Sequence, residues 1–191
     1  MPKSEEKIAT ILAEIENVAA REGIPIVGPI KGKFLGELVR KFRPTRVLEV
    51  GTAVGYSAIH IAANLSGSGK LETIEINPKS AERAVENLER AGLARKVSVI
   101  AADARKIVPG LAGPYDFVFI DAVKRDYYVY LKMLEEKIPA GGVVVADNAK
   151  IFASAMEDYL NEVRGSGFFA SETADFGFDA MEVSIKIKNS K

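Results

Sequence analysis

Arg46-Val47-Leu48-Glu49-Val50-Gly51-Thr52-Ala53-Val54-Gly55-Tyr56-Ser57 decides how this chain folds. Arg46 to Val50 is a short apolar run with β-branched residues, the pattern of a buried parallel strand. Glycines at 51 and 55 break it. Beyond Gly55 the spacing of Ile59, Ile61, Ala62 and Leu65 suits a helix. Strand, glycine turn and helix in that order make a cradle for an anionic or polar ligand. The helix N-terminus presents free N–H groups, and glycine lets a ligand approach the backbone. The spacing is G-x-x-x-G after an acid, Glu49, which differs from the dinucleotide fingerprint G-x-G-x-x-G. Many strand-to-helix turns carry glycine for steric reasons alone, so the turn decides nothing by itself.

Upstream, Ser4 with Glu5 and Glu6 reads as a helix start. Ile8, Ile11, Leu12, Ile15, Val18 and Ala19 follow at helical spacing, and Gly23 and Pro25 end the helix. Ile24 to Gly28 is expected to be extended, and a second helix is expected over Lys31 to Lys41. Downstream, Leu71 to Ile76 is a second strand, and Asn77-Pro78 caps and opens a helix to about Arg90. Val97 to Ala101 is a third strand, and Asp103 opens a short helix. Tyr115 to Ile120 is a fourth strand, followed by a helix from about Asp126 to Glu136. Val143 to Ala146 is a fifth, and Phe152 to Val163 is helical. Phe168 to Ser171 and Met181 to Ile187 read as two closing strands. In the second, Met181, Val183, Ile185 and Ile187 alternate with Glu182, Ser184, Lys186 and Lys188, which predicts a half-exposed antiparallel strand. Five αβ repeats and a hairpin predict an α/β protein with one doubly wound, mostly parallel sheet and helices on both faces.

The 191 residues suffice for one domain, 1–191, with a substantial core. Lys plus Arg equals Asp plus Glu at 26 each, so no global basic field invites nucleic acid, although a local basic strip stays open. The absence of cysteine excludes disulfides, thiolate metal sites and cysteine nucleophiles. A single histidine, His60, excludes a histidine metal cluster and reads as a helix residue without a catalytic role. The polar, acidic N-terminus is unlike a signal peptide, and no apolar run approaches a membrane span. A soluble cytoplasmic protein, with no membrane partner, is the expectation.

In an open α/β sheet the ligand site lies beyond the carboxyl ends of the strands. Polar residues stand at those ends: Gly51, Glu75, Asp103, Asp121 and Asp147-Asn148. Glu75, about 20 residues past the glycine turn, stands where an acid bonds ribose hydroxyls in nucleotide-binding sheets; a solvated strand end is the plainer reading. Asp103 either reaches an adenine amino group or caps a helix. Ser57 either bonds an amino-acid carboxylate or packs. Asp121, Asp147 and Asn148 offer hard oxygen donors suited to Mg²⁺ or another divalent cation; a cap and a turn are the structural alternative. Lys124, three residues past Asp121, is either a general base or a surface lysine.

These residues resemble a known family. Glu49 to Ser57 looks like the first motif of S-adenosylmethionine-dependent O-methyltransferases, and Ile74-Glu75-Ile76-Asn77-Pro78 like their second. Phe119 to Lys124 and Val145-Ala146-Asp147-Asn148 are similar to the metal-binding motifs of the catechol and caffeoyl-coenzyme A O-methyltransferase subgroup. The resemblance runs from about Ile26 to Val163. It implies a Rossmann-like sheet of seven strands in the order 3-2-1-4-5-7-6 with an antiparallel C-terminal strand. It implies S-adenosyl-L-methionine as cofactor, with Val27, Glu49, Gly51 and Ser57 at the methionine end, Glu75 on the ribose, and Asp103 and Ala104 bordering the adenine. Asp121 would border the cofactor and, with Asp147 and Asn148, bind Mg²⁺, while Lys124 would be the base. The acceptor would be a small hydroxylated, catechol-like molecule, and the protein a homodimer.

Departures from the family pattern concern the acceptor. Ala122-Val123 stands where catechol O-methyltransferase has a His-Trp pair, the Ala resembling plant and bacterial members, and no clear counterpart of the catechol-holding glutamate appears among Glu172, Asp175 and Asp179. Residues 1–43 are expected to be a helical segment that helps to complete the pocket; the segment is short for the family, so the expected pocket is either open or completed by a partner subunit. A tRNA hydroxyuridine-type O-methyltransferase using Lys31, Lys33, Arg40, Lys41 and Arg43, and a non-catalytic cofactor-binding protein, are the other readings.

Overall fold

The computed structural model describes residues 2–188. A seven-stranded sheet has the order β3-β2-β1-β4-β5-β7-β6, as expected. Its strands are β1 (Arg46–Val50), β2 (Lys70–Glu75), β3 (Val97–Ala101), β4 (Phe117–Ile120), β5 (Val143–Ala146), β6 (Phe169–Asp175) and β7 (Ala180–Lys186). The helices are α1 (Pro2–Glu22), α2 (Gly28–Phe42), α3 (Tyr56–Asn64), α4 (Pro78–Arg90), α5 (Ala104–Ile107), α6 (Tyr127–Leu134) and α7 (Glu157–Gly165). The expected helices after β4 and β5 open as 3₁₀ turns, at Lys124–Asp126 and Ala153–Met156. Helix α1 begins before Ser4, whose side chain lies outside the described residues.

The chain divides into two compact units, Met1–Thr45 with Gly51–Ala102, and Arg46–Val50 with Asp103–Lys191. In the first, β2 and β3 pair in parallel. Helix α1 buries Ile11, Ile15 and Ala19, and its polar side holds Tyr56 through Glu16 and Arg83 through Glu22. The apolar face thus serves the core of this unit. Helix α2 crowds α3 through small residues. A Cβ added at Gly32 would lie 2.5 Å from His60 Nε2, and one at Gly36 would lie 2.6 Å from Asn64 Nδ2. Asn77 caps α4 by accepting the Lys79 and Ser80 amides, at 3.0 and 3.3 Å.

In the second unit β1, β4 and β5 run parallel, with Val50 opposite Ile120 and Ile120 opposite Ala146. Their side chains are almost all fully buried, which is why these strands read as unbroken apolar runs. Strand β7 pairs antiparallel to β5 and β6 at once, as expected, but its polar residues do not face outward as a half-exposed strand would have them. Glu182, Ser184 and Lys186 are buried along with Ala180 and Met181, while Val183 and Ile185 are half-buried and Ile187 is 55% exposed.

Each buried polar group on β7 has partners, which is what makes its burial tolerable. The Glu182 carboxylate accepts two bonds from the Arg164 guanidinium at 2.8 Å and one from the Thr173 hydroxyl at 2.6 Å. Ser184 bonds Ser171 at 2.8 Å, and Lys186 Nζ donates to the Glu135 and Ile138 carbonyls at 2.5 and 2.9 Å. Glu182→Ala removes the carboxylate from both Arg164 and Thr173, leaving Arg164 only its 3.0 Å bond to the Thr173 hydroxyl. Because Arg164 stays half in solvent, the expected loss is about 2 kcal/mol rather than the larger cost of a fully buried pair, read by urea unfolding.

Candidate active site

Gly51 donates its amide to the Ile74 carbonyl at 2.9 Å, which sets the start of the turn beside the end of β2. Gly55, the N-cap of α3, has φ +87°, a conformation glycine adopts without steric cost. The first turn of α3 follows, with Ser57 buried in it. Glu75 Oε2 accepts the Ala53 amide and Oε1 the Asn77 amide, both at 2.8 Å. Each oxygen keeps a lone pair for a further donor. The expected ribose-binding acid is therefore anchored by the glycine turn and by the turn that follows the acid itself, with acceptor capacity to spare. Val27 is buried at the N-cap of α2. Glu49, on β1 opposite Phe119, is fully buried.

Asp103 caps α5. Its Oδ1 accepts the Arg105 amide at 2.9 Å, and Arg105 also reaches toward Asp126. That amide and the guanidinium hold the Asp103 carboxyl below the usual carboxylate range. Ala104 beside it is buried.

The second unit brings the remaining residues together at adjacent strand ends. Asp121 follows β4 and Asp147 follows β5, each one residue past the pair Ile120–Ala146. The Asp121 amide donates to Val50 O at 2.8 Å and the Asp147 amide to Ile120 O at 3.0 Å, so both extend the parallel ladder. Neighbouring strands lie about 4.8 Å apart, a spacing that lets both carboxylates reach one cation. Asp147 is 2% exposed. Lys124 Nζ donates to Asp121 Oδ1 at 2.6 Å and to the Tyr127 hydroxyl at 2.9 Å.

Tyr127, which the sequence does not single out, is thus a support for Lys124. Only its i+3 spacing from Lys124 hinted at this. Burial pushes its phenol well above the usual range, and the charges of Asp121 and Asp147 push it further. Asn148 follows Asp147 at φ +64°, a conformation asparagine tolerates, and donates Nδ2–H to Asp179 Oδ2 at 2.7 Å.

Among the described residues no group of three or more His, Cys, Asp or Glu stands ready to hold a metal ion. Asp121, Asp147 and Asn148 are two carboxylates and a carboxamide, and as hard oxygen donors their chemistry fits a divalent cation. His60 sits elsewhere, against Gly32 and edge-on to Tyr56. Its Nε2 is buried with no hydrogen-bond partner among the described residues, and burial pushes the imidazole down to about 4. The unfolded value is near 6.5, so the unfolded chain binds the proton first as pH falls. His60 therefore adds nothing above pH 6.5 and costs about 1.4 kcal/mol per pH unit between 6.5 and 4. Between pH 7.5 and 5, wild type is expected to lose about 2 kcal/mol more than His60→Gln by urea unfolding.

Of the candidate basic strip, Lys31 is buried in α2, Arg40 bonds Asn64, and exposed Glu37 interrupts Lys33, Lys41 and Arg43. No helix among the described residues is long and apolar enough to cross a membrane.

A catechol O-methyltransferase of Niastella koreensis is 40% identical over 138 residues, 69% of this chain and 62% of that protein, so the chain spans about three fifths of that relative. Among solved structures, the cofactor-bound Rv0187 from MTB superposes with a TM-score of 0.86 at 30% identity, over 94% of this chain and 91% of that one. The O-methyltransferase TomG from Streptomyces achromogenes, solved in complex with SAM, gives 0.84 at 27% identity, over 93% and 90%. The O-methyltransferase family profile matches residues 2–166, and this chain belongs to that family.

Proposed function

We propose that this protein transfers the methyl group of S-adenosylmethionine to a hydroxyl of a small catechol-like acceptor, with Mg²⁺ or a similar cation held by Asp121, Asp147 and Asn148. The observation that carries this is the pair of aspartates in register at adjacent strand ends, with Lys124 Nζ on one of them. The name of the Niastella relative and the SAM bound to TomG support the donor and the reaction class.

Val27, Glu49, Gly51 and Ser57 would hold the methionine end of the donor. Glu75 would use its spare lone pairs on the ribose hydroxyls, while Asp103, Ala104 and Asp121 would border the rest. S-adenosylmethionine supplies an electrophilic methyl group. A divalent cation, when bound, supplies charge that favours the ionised form of a hydroxyl. Lys124, placed by Asp121 and Tyr127, would take the hydroxyl proton once its own amine has given one up. The acceptor oxygen would then form its bond to the methyl carbon in line as the S–CH3 bond breaks, leaving S-adenosylhomocysteine as the neutral thioether. Positioning of this kind is worth roughly 7–11 kcal/mol in the best cases.

An apolar acceptor ring fits the neighbourhood. Val123, Ile151, Phe152 and Phe178 are 45–58% exposed, and each lies close in sequence to Asp121, Asn148 or Asp179. By the resemblance to catechol O-methyltransferase, Val123 takes the place of a tryptophan, and Ile151, Phe152 and Phe178 are further exposed apolar side chains on neighbouring segments. A homodimer belongs to this proposal, with sedimentation analysis as its test.

The deciding experiment is methyl transfer from labelled S-adenosylmethionine to catechols, caffeoyl esters and hydroxylated RNA, with Mg²⁺ and with EDTA. Label is expected on a small diol only with metal, a loss of at least about 100-fold in EDTA. Transfer unaffected by EDTA overturns the metal assignment, and transfer to RNA alone overturns the acceptor.

A further inference from the structure

Asp179 is 1% exposed in the turn between β6 and β7. Its Oδ2 accepts Asn148 Nδ2–H at 2.7 Å, and its Oδ1 accepts the Ile151 amide at 3.2 Å. The loop that carries Asn148 is tied to the same turn at two further points. The Ala149 amide donates to Ala180 O at 2.9 Å. Lys150 Nζ donates to both oxygens of Asp175, at 3.1 and 3.0 Å, and to Gly177 O at 2.8 Å.

A carboxamide is nearly symmetric in shape and opposite in chemistry at its two ends, so its neighbour decides which end points where. An ionised carboxylate only accepts. Facing Asp179, Asn148 must present Nδ2; the flipped amide would set Oδ1 against a carboxylate oxygen. Its Oδ1 is thereby turned to the other side, and an amide can ligate a hard cation only through that oxygen.

We propose that Asp179 is the positioning residue that fixes the Asn148 carboxamide with Oδ1 as the cation-facing atom. This rests on the cation site proposed above. The turn between β6 and β7 thus acts on the site through Asn148, as an outer partner that orients a ligand.

The test uses the whole protein and Mn²⁺ as probe, with free Mn²⁺ read by electron paramagnetic resonance. Asparagine at 179 can accept on one side only, so it cannot serve both Asn148 Nδ2–H and the Ile151 amide. Asp179→Asn is expected to weaken Mn²⁺ binding about 10–100-fold. The exchanged pair Asn148→Asp with Asp179→Asn restores complementarity. The new amide at 179 gives Nδ2–H to the carboxylate at 148 and keeps its oxygen for Ile151, leaving an oxygen for the cation. It is expected to bind Mn²⁺ within about fivefold of wild type or more tightly, which a merely structural role would not produce.

Thermal unfolding confirms that each variant is folded. Where Asp179→Asn alone does not fold, the exchanged pair carries the comparison. Wild-type binding matched within twofold by Asp179→Asn overturns the positioning role and leaves the cation site intact. A folded exchanged pair that fails to bind also overturns it. Wild-type protein that binds no Mn²⁺ overturns the cation site and this role together.

Discussion

Lys124→Ala is expected to lower kcat for methyl transfer by about 10²–10⁴-fold, the usual range for removing a positioned base. The size follows from how firmly the amine is placed. Its Nζ has two partners, Asp121 Oδ1 at 2.6 Å and the Tyr127 hydroxyl at 2.9 Å, and the side chain is only 17% exposed. A flexible surface lysine would hold no fixed geometry and would contribute little. Lys124→Arg separates two roles that alanine removes together. Arginine keeps the positive charge and reach but does not give up its proton in a working pH range. The base role therefore predicts that arginine fails to restore activity. Recovery to within about fivefold by arginine would assign Lys124 an electrostatic role instead. Tyr127→Phe keeps the ring and removes the hydroxyl, so it is expected to cost far less, with the loss in kcat rather than KM.

The parts of the fold that could be read from sequence are those set by local chemistry. The apolar run at 46–50, its glycine break and the periodic residues after Gly55 lie within twenty residues of each other, and β1 and α3 appear there. Asn77-Pro78 announces its own helix because the cap and its partners are three residues apart or less. Strand β7 could not be read in this way. Its alternation is genuine, but periodicity says only that two faces differ, and polarity normally says which faces solvent. Here that inference fails because the partners of Glu182 and Lys186 are distant in sequence: Arg164 is 18 residues away, and the Glu135 carbonyl is 51. The candidate site divides the same way. Asp121, Asp147 and Asn148 stand out as polar endings of apolar strands. Tyr127 and Asp179 act through contacts that only the folded chain creates, and Asp179 sits 31 residues from the Asn148 amide it holds.

The glycine turn itself gives the second large effect. Gly55→Ala is expected to destabilise the protein by about 2–4 kcal/mol, read by urea unfolding, and Gly92→Ala by only about 1 kcal/mol. Both residues have positive φ, +87° and +75°, so each alanine meets the penalty of the left-handed region, about 1–2 kcal/mol at most. They differ in surroundings. A Cβ at Gly92 meets nothing within 4 Å, whereas one at Gly55 would lie 3.2 Å from Ala84 Cα and 3.3 Å from its Cβ and carbonyl oxygen. Two of those three atoms are backbone, in the middle of α4, and cannot swing aside. The added methyl must push α4 away from the turn or deform the turn itself, an overpacking cost of about 1–3 kcal/mol. Equal losses at the two positions would show that α4 yields and that Gly55 is present for its conformation alone. A larger loss at Gly55 would mean that helix packing as well as ligand approach fixes this glycine. In that case donor affinity should fall in Gly55→Ala even at a urea concentration and temperature where the variant is fully folded.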